Sequence, residues 1–202
     1  WHVAVRTPSG QWLGHGGEYL HNYPAAPMPE YLEQGEAYKE AGGGVLYHGR
    51  LRGNVAYLRV DTLDTARWNA ISPGYIDALF DTYSDATGLI LDIRANNGGN
   101  EDLAARIASR FTDQTLVYGY VRNRLPGTGE PRYSEFIPKT LVPSGRFYDK
   151  PVVCLMGQRC LSSAEWFALM LRQCPNAVLM GSATRGGTGN PKLVEMDNAV
   201  AY

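Results

Sequence analysis

From residue 51 onward the apolar positions follow two alternating periods. VAYLRV (Val55–Val60) reads as a strand, and Ile76, Leu79, Phe80 and Tyr83 then recur at helical spacing. Ser72-Pro73 ahead of them has the form of an N-cap followed by proline at the first helical position, and Gly88 closes the helix. LILDI (Leu89–Ile93) is a short apolar run ending in Arg-Ala-Asn-Asn-Gly-Gly-Asn, after which Leu103, Ile107 and Phe111 mark a second amphipathic helix. LVYGYV (Leu116–Val121) reads as a further strand, followed by a polar, Pro/Gly-rich excursion to Lys150 that predicts a surface loop or flap. PVVCLM predicts a strand, CLSSAEWFALM the start of a nearly apolar helix, AVLMG another strand, and TRGGTGNP a glycine loop.

The first fifty residues lack this regularity. The breaker clusters HGG, YPAAPMPE and AGGG predict an edge strand near His2–Arg6, irregular chain to Pro29, a short helix around Glu30–Glu40 and a hinge at Gly42–Gly44. The chain therefore divides into an irregular segment, 1–50, and a core, 51–202. Strands alternating with helices predict an α/β core covered on both faces of its sheet. Working residues in such folds collect in loops at strand C-terminal ends, here those after LILDI and after PVVCLM.

Composition narrows the partners. Apolar residues make up 44% and charged residues 19% of 202, enough for a core, and the net charge of −1 gives no electrostatic reason to expect nucleic acid. No apolar run reaches the roughly 18–20 residues that span a bilayer. Cys154, Cys160 and Cys174 lack zinc-ligand spacing and read as buried small hydrophobes or, for the last two, a bridge; no cofactor or metal motif is apparent. A start on Trp1 without a signal segment reads as a fragment or processed form. No feature fixes an oligomeric state or a compartment.

The candidate chemistry lies in the two loops. Ser162 and Glu165 stand three apart, as in a capping box. A serine at that place is also well sited as a nucleophile, because helix N-terminal amides favour a developing oxyanion. The helix start alone does not separate the two roles. Asn97-Gly98-Gly99 is either a tight strand-to-helix turn or a loop that offers backbone N–H groups to a ligand. An oxyanion hole takes one amide from the residue after the nucleophile, here Ser163, and a second from a separate loop, for which Gly98 and Gly99 are placed.

LILDIRANNGG, then KPVVCLMGQRCLSSAEWFALMLRQ, then AVLMGSATRGGTGNP resembles the core of the tail-specific, or C-terminal processing, serine peptidases. The resemblance runs from about Val55 to Pro191, with three motifs in order. It implies a crotonase-like α/β fold, hydrolysis of peptide bonds in unfolded or C-terminal segments, Ser162 as nucleophile, and Ser163 with Gly98-Gly99 as oxyanion amides. It implies export to the periplasm or beyond, which no residue here shows.

The general base departs from the lysine-using branch of that family, because Gly187 falls where the lysine would stand. Arg185 does not replace it, since a guanidinium stays protonated, and Lys192 lies five residues on. W-H-V-A-V-R instead resembles the histidine-using, tricorn-core branch, which makes His2 the expected base, with His15, His21 and His48 as rivals. That branch also places an orienting carboxylate further downstream than Tyr202. Two other readings share the fold: a catalytically silent peptide-binding module, and an acyl-CoA enzyme, for which no adenine or pantetheine signal is apparent.

Overall fold

The computed structural model describes residues 4–6, 12–14, 22–127, 129–189, 195–196 and 200–201. Its strands are β1 (Ala4–Arg6), β2 (Trp12–Gly14), β3 (Lys39–Ala41), β4 (Leu46–Leu51), β5 (Val55–Val60), β6 (Gly88–Asp92), β7 (Leu116–Val121), β8 (Ile137–Leu141), β9 (Val152–Met156), β10 (Ala177–Gly181), β11 (Glu195–Met196) and β12 (Val200–Ala201). The α-helices are α1 (Thr65–Trp68), α2 (Tyr75–Thr82), α3 (Glu101–Ala108) and α4 (Ser163–Gln173). The fold is mixed α/β around a six-stranded sheet ordered β10-β9-β6-β5-β4-β3. The pairs β5–β6, β6–β9 and β9–β10 are parallel, and β3–β4 and β4–β5 antiparallel.

The strand register sorts the core. Leu58, Leu91 and Cys154 are aligned across β5, β6 and β9 and are fully buried, with Leu179 of β10 next to Cys154. They join Ile76, Leu79 and Phe80 of α2, Leu103 and Ile107 of α3, and Phe167, Met170 and Leu171 of α4 in one cluster. Those helical residues recur three and four apart, so each helix turns one stripe inward. Burying each large apolar side chain contributes about 1.5–3 kcal/mol.

The expected cover on both faces of the sheet is met only in part: the helices pack on one face. The opposite register positions, Val178 and Met180 of β10, are 60% and 56% exposed. Over β5 and β6 that second face is crossed by the irregular chain from Asn22, which the buried Arg59 and the half-buried Arg94 hold by its carbonyls. Arg59 donates to Pro24 O at 2.9 Å, and Arg94 donates to Asn22 O at 2.6 Å. Arg94 is itself held by Asp92 through Nε at 2.9 Å and Nη2 at 2.7 Å, with the Tyr57 hydroxyl donating to the same carboxylate at 2.8 Å. Breaking a buried pair of this kind costs about 3–5 kcal/mol.

Other expectations shift locally. The helix expected over Glu30–Glu40 is a single 3-10 turn, Pro29–Tyr31, and the chain then extends into β3 on the edge of the sheet. The expected division at residue 50 falls within β4. The Ser72-Pro73 cap stands ahead of an opening turn, Tyr75 N–H to Ser72 O, and α2 starts at Tyr75. The excursion to Lys150 contains β8, which pairs antiparallel with β7 into a hairpin beside α4. The three cysteines are free and buried, so no Cys160–Cys174 bridge forms.

Candidate active site

The chain leaves β9, turns through Gly157–Leu161 and enters α4 at Ser162. At that point Ser162 has φ 58° and ψ −124°, one of two non-glycine residues with positive φ among the described residues. An ordinary N-cap residue sits in the extended region. A sharp, strained strand-to-helix turn that lifts a serine hydroxyl out of the backbone is the geometry of a nucleophile elbow.

The elbow is held from both sides. Ser162 N–H donates to Gly187 O at 2.8 Å and to Glu165 Oε2 at 3.2 Å. Glu165 N–H donates to the Ser162 carbonyl at 2.9 Å and also faces the Ser162 hydroxyl in a capping box, so the hydroxyl is not the sole acceptor of that amide. The Glu165 carboxylate does more than close a capping box. Buried at 6% exposure, it accepts from Thr184 Oγ1 at 2.7 Å, Gly186 N–H at 2.6 Å and Gly187 N–H at 2.7 Å. It therefore fastens the Thr-Arg-Gly-Gly loop onto the start of α4.

The Asn-Gly-Gly loop reaches the same place from β6. A Cβ added at Gly98, whose φ is +99°, would lie 2.6 Å from Leu161 O, 2.8 Å from Ser162 Cβ and 3.1 Å from Ser163 N. The loop backbone thus touches the elbow, which a side chain would prevent. Asn96, fully buried, fixes the turn: its Oδ1 accepts from Gly98 N–H at 2.9 Å and its Nδ2 donates to Val60 O at 3.1 Å.

This sorts the two glycines expected as oxyanion donors. The Gly98 amide is occupied by Asn96, and Gly98 is buried. Gly99 is exposed, and its carbonyl accepts from Ser163 Oγ at 2.6 Å, tying the two loops together. Ser163 is the first residue of α4, where N–H groups have no intrahelical acceptor. Ser162, Ser163 and Gly99 line one cleft of about 610 Å³, together with Glu101, Tyr120, Arg122, Lys139, Trp166 and Thr188.

Of the base candidates, His2, His15, His21 and Lys192 lie outside the described residues. His48 is inside β4, not at a strand end, with Nδ1 2.8 Å from the Tyr83 hydroxyl and Nε2 2.7 Å from that of Tyr75. Both nitrogens are committed on the α2 side, and burial, with Lys39 nearby, lowers its pKa to about 4.

The cleft wall formed by the β7–β8 hairpin and α3 was not apparent from sequence. Glu101 accepts from the Tyr118 hydroxyl and pairs with Lys139 at 2.9 Å, and the Lys139 ammonium lies 5.1 Å from the Trp166 ring centre. These residues are spread over α3, β7, β8 and α4, and only the tertiary fold brings them together. Among the described residues no group of three His, Cys, Asp or Glu could hold a metal ion, and no helix is long and apolar enough to cross a membrane.

Residues 54–202 match the sequence profile of peptidase family S41. Among solved structures, a protein from Parabacteroides merdae ATCC 43184 assigned as a peptidase is 28% identical, with a TM-score of 0.71 over 81% of this chain and 50% of that one. Mature CPAF complexed with lactacystin is 15% identical, with a TM-score of 0.64 over 98% of this chain and 57% of that one. The photosystem II D1 C-terminal processing protease is 18% identical, with a TM-score of 0.52 over 82% of this chain and 41% of that one. The last two likenesses are of fold. The chain spans about half the length of these solved proteins.

Proposed function

The chain belongs to peptidase family S41, and from that premise we propose that it is a serine peptidase with a crotonase-like core, Ser162 being the nucleophile. The observation that carries the reading is the strained Ser162 elbow, abutted by the Gly98-Gly99 turn and open to a cleft large enough for several peptide residues.

In this reading Ser162 Oγ attacks the carbonyl carbon of the scissile amide while a base takes the hydroxyl proton. The carbonyl oxygen becomes an oxyanion facing the Ser163 and Gly99 amides. The site is assigned to Gly99 and not Gly98, whose N–H is already used. Collapse expels the amine, which receives the proton, and leaves an acyl group on Ser162; water then attacks the ester by the same route in reverse.

His2 is the proposed base. The support is in the loop that Glu165 fastens: Gly187 stands where the other branch has lysine, its amide held by Glu165 and its carbonyl by Ser162. No side chain can reach the serine from that position. The tricorn-core branch, with a histidine near the start of the domain, accounts for this arrangement. The substrate is a peptide or an unfolded segment of a protein.

A fluorophosphonate probe tests the assignment. The wild-type chain should be labelled, Ser162→Ala should not, and His2→Ala should be labelled at least 100-fold more slowly, the usual contribution of a positioned base. Equal labelling of wild type and Ser162→Ala would remove the nucleophile. Peptide binding without labelling or turnover would make the chain a binding module on a peptidase fold.

A further inference from the structure

The cleft beside Ser162 carries an unbalanced charge. Three side chains that are charged at neutral pH line it: Glu101, Lys139 and Arg122. Glu101 is spent within the wall, since one carboxylate oxygen pairs with Lys139 at 2.9 Å and the other accepts from Tyr118. Arg122 has no acidic partner among the described residues. The remaining lining residues are neutral, so the wall carries one net positive charge beside the elbow.

Arg122 is exposed and rests against two aromatic rings. It follows directly on β7 at the mouth of the hairpin, and its guanidinium carbon lies 4.4 Å from the Tyr133 ring centre and 5.2 Å from that of Phe136. Stacking on aromatic rings occupies the faces of the guanidinium plane and leaves its N–H fork in the plane for an acceptor. A carboxylate fits that fork with two parallel hydrogen bonds. An arginine without such ring contacts would lose more side-chain entropy on binding.

We propose that the cleft selects peptides with a carboxylate close to the bond that Ser162 attacks, and that Arg122 is the selecting residue. This rests on the peptidase reading for what happens to the bound peptide, but not for the binding itself. The carboxylate has two sources in a peptide: an Asp or Glu side chain, or the chain's own C-terminus. Either would meet the same fork.

The test uses one peptide sequence in four forms: a glutamate with an amidated C-terminus, a glutamine with a free C-terminus, a glutamine with an amidated C-terminus, and a lysine with an amidated C-terminus. Their binding to the Ser162→Ala chain is measured by fluorescence anisotropy, and their kcat/KM on the wild type. One anionic form should bind about fivefold more tightly than the neutral form, in line with a partly exposed, charge-assisted pair, and the lysine form more weakly than neutral. Which anionic form gains identifies the source. Arg122→Gln should erase the difference, whereas Arg132→Gln, on the same hairpin but outside the cleft wall, should keep it. Equal binding of all four forms, or a preference that survives Arg122→Gln, overturns the proposal. Because binding is read on a chain without the serine, failure of hydrolysis would count against the peptidase reading alone.

Discussion

The Glu165 carboxylate is the junction at which the Ser-x-x-Glu helix and the Thr-Arg-Gly-Gly loop can be separated by one atom. In Glu165→Gln the side chain keeps its shape, but one oxygen becomes an NH2 group. With the remaining oxygen at the Oε1 position, Thr184 and Gly186 keep their acceptor, and the Gly187 and Ser162 N–H groups face a donor. Ser162 retains Gly187 O at 2.8 Å, so the loss falls on the half-buried Gly187 N–H, whose bond to the carboxylate is removed. With the amide turned over, Gly186 N–H is orphaned instead, and the Thr184 hydroxyl can rotate to accept. The cost is therefore one lost charge-assisted hydrogen bond from a partly exposed amide, about 1–3 kcal/mol, plus loss of a carboxylate at the N-terminus of α4, about 0.3–1 kcal/mol. The total of about 1–4 kcal/mol should lower Tm by roughly 3–15 °C in a chain of this size. Urea denaturation gives the free energy, and trypsin gives the location, because Arg185 lies within the loop that should open. Thr184→Val removes only one hydrogen bond and should cost about 1 kcal/mol. A Glu165→Gln chain within 0.5 kcal/mol of wild type, with no faster cleavage after Arg185, would refute the claim that this carboxylate holds the loop.

Two further outcomes follow from the same geometry. Gly98→Ala places a methyl 2.6 Å from Leu161 O and 2.8 Å from Ser162 Cβ, so it should cost about 2–4 kcal/mol and slow probe labelling of Ser162; Gly35→Ala, also at positive φ but with no atom within 4 Å, should cost about 1 kcal/mol and leave labelling alone. His48 has a folded pKa of about 4, below its unfolded value of 6.5, so the unfolded chain binds the extra proton first. Stability from this group is complete above pH 6.5 and falls as the pH drops toward 4, by roughly 2–3 kcal/mol in all; urea midpoints across that range should show the slope, and His48→Phe should flatten it.

The sequence announced the parts of the site whose spacing is local. Strands such as VAYLRV and the Ser-x-x-Glu helix are written in runs of neighbouring residues, and each appears within a residue or two of its expected place. Glycines in the Asn-Gly-Gly turn were legible as a close approach, but not which amide would remain available. That depends on Asn96, whose side chain folds back two residues on, and both uses of it suit the same sequence. The cleft wall was illegible because Glu101, Tyr118, Lys139 and Trp166 meet only through the packing of α3, α4 and the β7–β8 hairpin. Strand β8 was hidden for a different reason: IPKTL carries a proline and two polar residues and reads as loop, and its pairing with β7 decides otherwise. Helical cover on only one face of the sheet was also beyond periodicity, since a run such as VVCLM is apolar on both sides whether or not anything covers the second.

Backbone strain bears most directly on whether Ser162 caps or attacks. The other non-glycine residue at positive φ, Asn54, sits in the turn between β4 and β5, where a short polar side chain tolerates such a conformation and its Oδ1 and Nδ2 are both bonded nearby. Ser162 has no such excuse: its ψ of −124° lies outside the left-handed helical basin, in a region that glycine alone occupies comfortably, at a cost of about 1–3 kcal/mol. Ser162 does close a capping box with Glu165, but an ordinary cap does so from the extended conformation without this strain. A glycine at 162 would relieve the strain, keep the amide bonds to Gly187 and Glu165, and lose only the hydroxyl. Four contacts instead hold the strained residue in place: Gly187 O, Glu165, the packed Gly98 turn, and the Ser163 hydroxyl on Gly99 O. That much structure around a strained serine beside a peptide-sized cleft is the support on which the proposed nucleophile role of Ser162 rests, and the probe-labelling comparison with Ser162→Ala decides it.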